Sequence, residues 1–89
     1  MLILSTPTFD RSVKKFAKNQ KVVLDKAVKA LLKNPLIGEA KKGDLRGIYV
    51  YKFKILDKQF LLGYQLPKKN EIKLLMIGTH ENFYRDLKK

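Results

Sequence analysis

The stretch Gln59–Leu66, QFLLGYQL, constrains the fold more than any other part of this chain. Read with the period of two that a strand imposes, it is apolar on both faces, the pattern of a central strand. Just before it, GIYVYKFKIL alternates. Tyr49, Tyr51, Phe53 and Ile55 fall on one face, and Ile48, Val50, Lys52 and Lys54 on the other. The aromatic face is expected to pack on helices, while the other begins apolar and ends with two lysines. DK reads as the turn between these strands. PKKN turns the chain again, and EIKLLMIG is a third consecutive strand.

Upstream, MLILS is a short apolar strand. STP then signals a helix start, with Ser5 or Thr6 as cap and Pro7 at the first helical position. Phe9, Val13, Phe16 and Ala17 follow at helical spacing, with Arg11, Lys14, Lys15 and Lys18 between them. KNQK interrupts that pattern near Asn19. A second helix is expected from about Lys21 to Lys33, with Val23, Ala27, Ala30 and Leu31 on one face, widened by Leu24, Val28 and Leu32. Asn34-Pro35 ends it, because a residue before proline disfavours the helical conformation. LIGEAKKGD reads as a connecting loop. The resulting order is β-αα-βββ. This is an α+β arrangement, with an N-terminal strand and a helical hairpin packed on one face of a mainly antiparallel four-stranded sheet. At 89 residues, one domain spanning 1–89 is the expectation.

Charge narrows the function classes. Twenty Lys and Arg face eight Asp and Glu, a net charge of +12. Such a surface attracts polyanions, nucleic acid first, then an acidic protein or an anionic membrane surface. A merely solvated lysine-rich surface is the competing explanation. The chain has no cysteine and one histidine, which excludes disulfide and thiolate chemistry and leaves a zinc site without a ligand set. MLILSTPTF lacks the basic segment and apolar length of a signal peptide, and no apolar run approaches the roughly 20 residues that span a bilayer. A cytoplasmic protein is expected.

Several side chains suit chemistry on a nucleic acid. Lys52 and Lys54 share one strand face, where such a pair can hold a phosphate or, if crowding favours the neutral amine, accept a proton. A solvated strand face is the alternative. His80 follows the apolar strand directly, at the sheet rim, and histidine suits proton exchange near neutral pH. If ENFYRDL is a helical turn, His80 and Tyr84 share a face, with Phe83 as the core anchor. A tyrosine there can stack on an RNA base. Arg46 and Arg85 are candidates to clamp a phosphate, or equally to pair with Asp44 or Asp86. There is no glycine-rich phosphate loop and no clustered set of carboxylates for a hard cation. A nuclease built from these residues would need no metal or other cofactor. The RNA 2′-hydroxyl would attack, a base would take its proton, cations would steady the phosphate, and an acid would protonate the leaving oxygen.

LLKNP, GDLRGIYVYKFK, FLLGYQL and IGTHENFYRDLKK, in this order in a basic chain of this length, resemble the RelE/ParE superfamily of bacterial type II toxins. The resemblance covers nearly the whole chain, and the C-terminal segment is most similar to the YafQ-like branch. It implies a toxin with a cognate antitoxin encoded beside it, docking an acidic segment on the helices or the basic sheet face. It also implies metal-free cleavage of mRNA in the ribosomal A site. By that likeness His80 falls on a C-terminal histidine proposed as acid or base, Tyr84 on a nearby aromatic, and Lys52 and Lys54 on a strand bearing catalytic basic residues. The chain departs at Leu61, where RelE-like members usually carry arginine, and lacks further histidines and a tryptophan of the YafQ-like branch. ParE-like members share the fold, lack the nuclease residues and poison DNA gyrase. A gyrase-binding toxin, or a non-catalytic basic module for nucleic acid, are therefore the alternatives.

Overall fold

The computed structural model describes residues 1–87, with side chains through Arg85; Lys88 and Lys89 lie outside the described residues. In chain order the elements are β1 (Leu2–Ser5), α1 (Pro7–Lys14), α2 (Lys18–Lys33), β2 (Glu39–Ala40), a single 3₁₀ turn (Gly43–Leu45), β3 (Tyr49–Ile55), β4 (Lys58–Gln65), β5 (Glu71–Thr79) and α3 (His80–Leu87). The sheet runs β1-β5-β4-β3-β2. Only β1–β5 is parallel; the other pairs are antiparallel.

β4 occupies the centre, as its two-sided apolar pattern requires, and Phe60, Leu61, Leu62 and Tyr64 are all buried. The sheet has five strands rather than four, because Glu39 and Ala40, expected in a loop, pair with Val50 and Tyr49. The β3–β4 turn falls on Leu56-Asp57 rather than on Asp57-Lys58, since Ile55 pairs with Lys58. Leu56 there adopts φ 57°, the left-handed region that a two-residue hairpin demands.

Local signals set the helices. The Thr6 hydroxyl accepts the Phe9 N–H at 3.1 Å, and Pro7 opens α1. α2 begins at Lys18, three residues before the expected start near Lys21. The Gln20 side chain accepts the Ala17 N–H at 2.7 Å and so closes the helix end there. Phe16, freed from helix geometry, turns edge-on to Phe60 at 5.6 Å. α2 ends at Asn34, ahead of Pro35.

The main core joins Phe9, Leu24 and Leu31 of the helices to Ile55, Phe60, Leu62, Tyr64, Ile72, Leu74 and Ile77 of the sheet, with Tyr49, Tyr51 and Phe53 packed against it. The aromatic face of β3 therefore meets the helices as expected. The opposite face is not left open. Val50 and Leu61 pack with Phe83 of α3, flanked by Ile48, Met76 and Tyr84. The helices thus lie on both faces of the sheet, and ENFYRDL is a helix, not a single turn.

β5 reaches both cores through a bulge. Gly63 pairs with Met76 and Tyr64 with Leu74, so Leu75 is the extra residue. The Thr6 hydroxyl donates to the Leu75 carbonyl, and the Thr6 N–H to the Leu74 carbonyl at 3.1 Å. One threonine thus caps α1 and ties it to the bulge.

Tyr64 pins the segment after α2. Its hydroxyl donates to the Pro35 carbonyl at 2.7 Å and accepts the Gly38 N–H at 3.0 Å. A Cβ on Gly38 would stand 2.5 Å from that oxygen, so only glycine lets the loop close. Burial pushes the Tyr64 phenol above the usual tyrosine value; the Gly38 bond opposes this and Tyr49 adds to it. A raised phenol stabilises the fold fully below the unfolded value of about 10, and that stability is lost as pH rises beyond it. Tyr64→Phe should lower stability at neutral pH by about 1–3 kcal/mol, because it strands two loop groups. Between about pH 9 and pH 11 the variant should lose less of its remaining stability than the wild type. Denaturant unfolding across that range measures both effects; parallel pH profiles would exclude Tyr64 as the titrating group.

Candidate nucleic-acid site on the C-terminal helix

β5 runs straight into α3, so His80 leaves the sheet at its rim as the first helical residue. One turn later Tyr84 lies beneath it, the ring centroids 5.0 Å apart and the planes at 61°. The i, i+4 relation expected from the sequence is met. Phe83 points to the sheet, 2% exposed, and its ring meets Tyr84 edge-on at 5.1 Å. A Cβ on Gly63 would stand 2.8 Å from the Phe83 ring, so the bare backbone of β4 is the seat of this helix. His80 is exposed and Tyr84 half-buried.

Sequence reasoning missed one neighbour. Lys41 follows β2, and its N–H donates to the Ile48 carbonyl at 2.9 Å. Its ammonium stands 5.6 Å from the centroid of the Tyr84 ring, and 3.3 Å from a Glu39 carboxylate oxygen. The Tyr84 hydroxyl holds this ammonium above the ordinary lysine value; burial opposes the rise, and Glu39 adds to it. Nothing in EAKKGD separates Lys41 from Lys42; only the pairing of β2 with β3 selects it.

The other expected residues are less closely gathered. Lys52 is exposed and pairs with Leu61, which in turn pairs with Gly78. It therefore shares the α3 face, with about 10 Å of sheet between it and β5. Lys54 pairs with Gln59, but it also borders a groove of about 180 Å³ on the helical side, with Val23, Lys26, Ala27, Tyr51 and Phe53. β2 covers only Tyr49 and Val50, so the rest of the β3 edge, where Lys54 sits, is open to both faces. Arg85 donates to the Asn82 side-chain oxygen at 2.7 Å. Arg46 closes the 3₁₀ turn, exposed, in the loop that also carries Lys41. Neither arginine pairs with Asp44: the one ion pair among the described residues is Lys41–Glu39. Leu61 is fully buried beneath α3. Among the described residues no group of three His, Asp or Glu side chains is placed to hold a metal, and no helix is long and apolar enough to cross a membrane.

A family model for the ParE-like toxin of type II bacterial toxin–antitoxin systems matches residues 3–88. The chain belongs to this family. No curated protein matches this ParE-like toxin in sequence. Among solved structures it is similar to the toxin of the intact E. coli RelBE toxin–antitoxin complex, with TM-score 0.69 and 19% identity over 88% of this chain and 94% of that one. It is also similar to a doubly arginine-substituted E. coli RelE toxin in the free state, with TM-score 0.72 and 18% identity over 98% and 94%. The same mutant bound to a peptide of the antitoxin RelB gives TM-score 0.68 and 18% identity over 99% and 94%. At such identity the likeness is one of fold.

In this ParE-like toxin the site hangs on one packing contact. Gly63→Ala should drive a methyl into the Phe83 ring and loosen α3, whereas the main core on the far side of the sheet is untouched. Amide exchange should rise across α3 while the strands stay protected; unchanged protection of α3 would refute the seat.

Proposed function

We propose that this toxin is a metal-independent endoribonuclease that cuts mRNA on the ribosome, with α3 and the adjoining sheet face as its working surface. The observation that carries this reading is the His80–Tyr84 pair, 5.0 Å apart, on the sheet face that also presents Lys52. In the reaction the 2′-oxygen attacks the adjacent phosphorus and gives up its proton, and the P–O5′ bond breaks. The leaving oxygen takes a proton, giving a 2′,3′-cyclic phosphate and a 5′-hydroxyl end. His80, exposed at the rim, exchanges one of these protons. Lys52, with Lys54 at the open edge, carries the other proton or steadies the charged phosphate. Tyr84 holds the imidazole from behind and offers its ring to a base. Arg46 and Arg85, exposed and free of carboxylate partners among the described residues, hold flanking phosphates.

Its partner in this reading is a cognate antitoxin whose acidic segment neutralises part of the +12 charge, in the cytoplasm where ribosomes work. The E. coli toxin of similar fold is seen in complex with its antitoxin. Co-expression with the neighbouring open reading frame should yield a co-purifying acidic protein.

Translation of a reporter mRNA with the purified toxin, followed by mapping of fragment ends, tests the activity. His80→Ala should slow cleavage by about 10²-fold or more, the usual weight of a general acid or base. Tyr84→Ala should fall with it, and Lys52→Ala by a smaller factor. Equal cutting by wild type and His80→Ala would remove His80 from the chemistry, and 5′-phosphate ends would remove the 2′-hydroxyl route.

Leu61 favours a second reading. It fills the second core where RelE-like members carry a cation, which suits a ParE-like gyrase poison. Inhibition of gyrase supercoiling at micromolar toxin, without mRNA cleavage, would select it.

A further inference from the structure

The described residues contain twenty-odd side-chain charges and a single ion pair, Lys41–Glu39. That pair stands against the proposed site. The Lys41 main chain is held by its bond to Ile48 next to β2, and its ammonium rests between Glu39 and the Tyr84 ring. Tyr84 is a shared wall, with the His80 ring at 5.0 Å and the Lys41 ammonium at 5.6 Å from its own centroid. The Lys41 side chain is 20% exposed but Glu39 is 62% exposed, so the carboxylate is the loosely held member. Exposed ion pairs are weak, and a carboxylate presents the same anionic oxygens as a phosphodiester.

We propose that Lys41 is a phosphate-binding residue of this site, and that Glu39 occupies its ammonium until an RNA phosphodiester displaces it. The inference rests on the reading that RNA lies over α3. It adds a contact from the segment after β2, so that Tyr84 is shared between His80 of its own helix and Lys41. Glu39 acts as a competitor built into the chain: it keeps Lys41 oriented and lowers affinity for adventitious anions.

The test is titration of an all-2′-O-methyl hexanucleotide, which cannot be cleaved, followed by fluorescence anisotropy at low salt. Lys41→Gln should weaken binding about tenfold and remove about one phosphate contact from the salt dependence, and Lys41→Arg should restore most of the affinity. Glu39→Gln should tighten binding several-fold. Lys21→Gln and Asp25→Asn, exposed on α2 across the sheet, supply the general effect of one charge and should each shift binding less than about twofold. His80 ring-proton shifts, set by Tyr84, check that each variant keeps α3 in place. A Lys41→Gln loss no greater than that of Lys21→Gln, or a Glu39→Gln loss instead of a gain, overturns the proposal. Cleavage mapping on ribosomes separates it from the parent reading. Wild-type cleavage with an unaffected Lys41→Gln removes Lys41 and leaves the nuclease. No wild-type cleavage, with the binding pattern above, removes the nuclease and leaves Lys41 as an RNA contact.

Discussion

The ring of Phe83 lies over the bare backbone of Gly63, and the closing of the sheet's second face depends on it. β4 is apolar on both sides, so a single helical layer cannot satisfy it. α1 and α2 cover one side. Val50 and Leu61 on the other would face water without α3. A chain of this size has little apolar surface to spare, and each buried aromatic carries a large share of the stability. The helix that completes the core also carries His80 and Tyr84. Completion of the fold and assembly of the candidate site are therefore one event.

A single residue of register decides which side that helix takes. Side chains alternate along a strand, so one inserted residue reverses every position after it. Leu75 is that insertion, held by the Thr6 hydroxyl. Before it, Ile72 and Leu74 face the main core; after it, Ile77 does, while Met76 joins the second core. Gly78 lies beside Phe83. Without the bulge the alternation would place Gly78 and His80 toward α1 and α2. The N-terminal cap of the first helix thus sets the exit of the last.

The charge of the chain is arranged, not merely abundant. The outer faces of α1 and α2 carry lysines without carboxylate partners among the described residues, as does the open edge of β3, whereas Lys41 beside α3 is paired with Glu39. Such a surface is self-repelling and soluble, and it favours long polyanions over small anions. The ParE-like family and the shared RelE fold say what scaffold this is. The chemistry resides in the side chains mounted on it.

Much of this was legible in the sequence because it is local. The alternation of β3, the two-sided apolar run of β4, the Thr6-Pro7 helix start, the Asn34-Pro35 stop and the His80–Tyr84 spacing all follow from side-chain period and backbone preference within a few residues. In EIKLLMIG the run LLMI hides the bulge at Leu75, because an uninterrupted apolar run carries no phase. EAKKGD likewise hides the difference between Lys41 and Lys42. The second helical layer, the short β2 strand, the open edge beside Lys54 and the burial of Leu61 were decided by tertiary structure alone. Each depends on partners far away along the chain, as Lys41 depends on Tyr84 and Leu75 on Thr6. Such pairings are chosen by which surfaces the whole fold can bury together, and no local pattern records that choice.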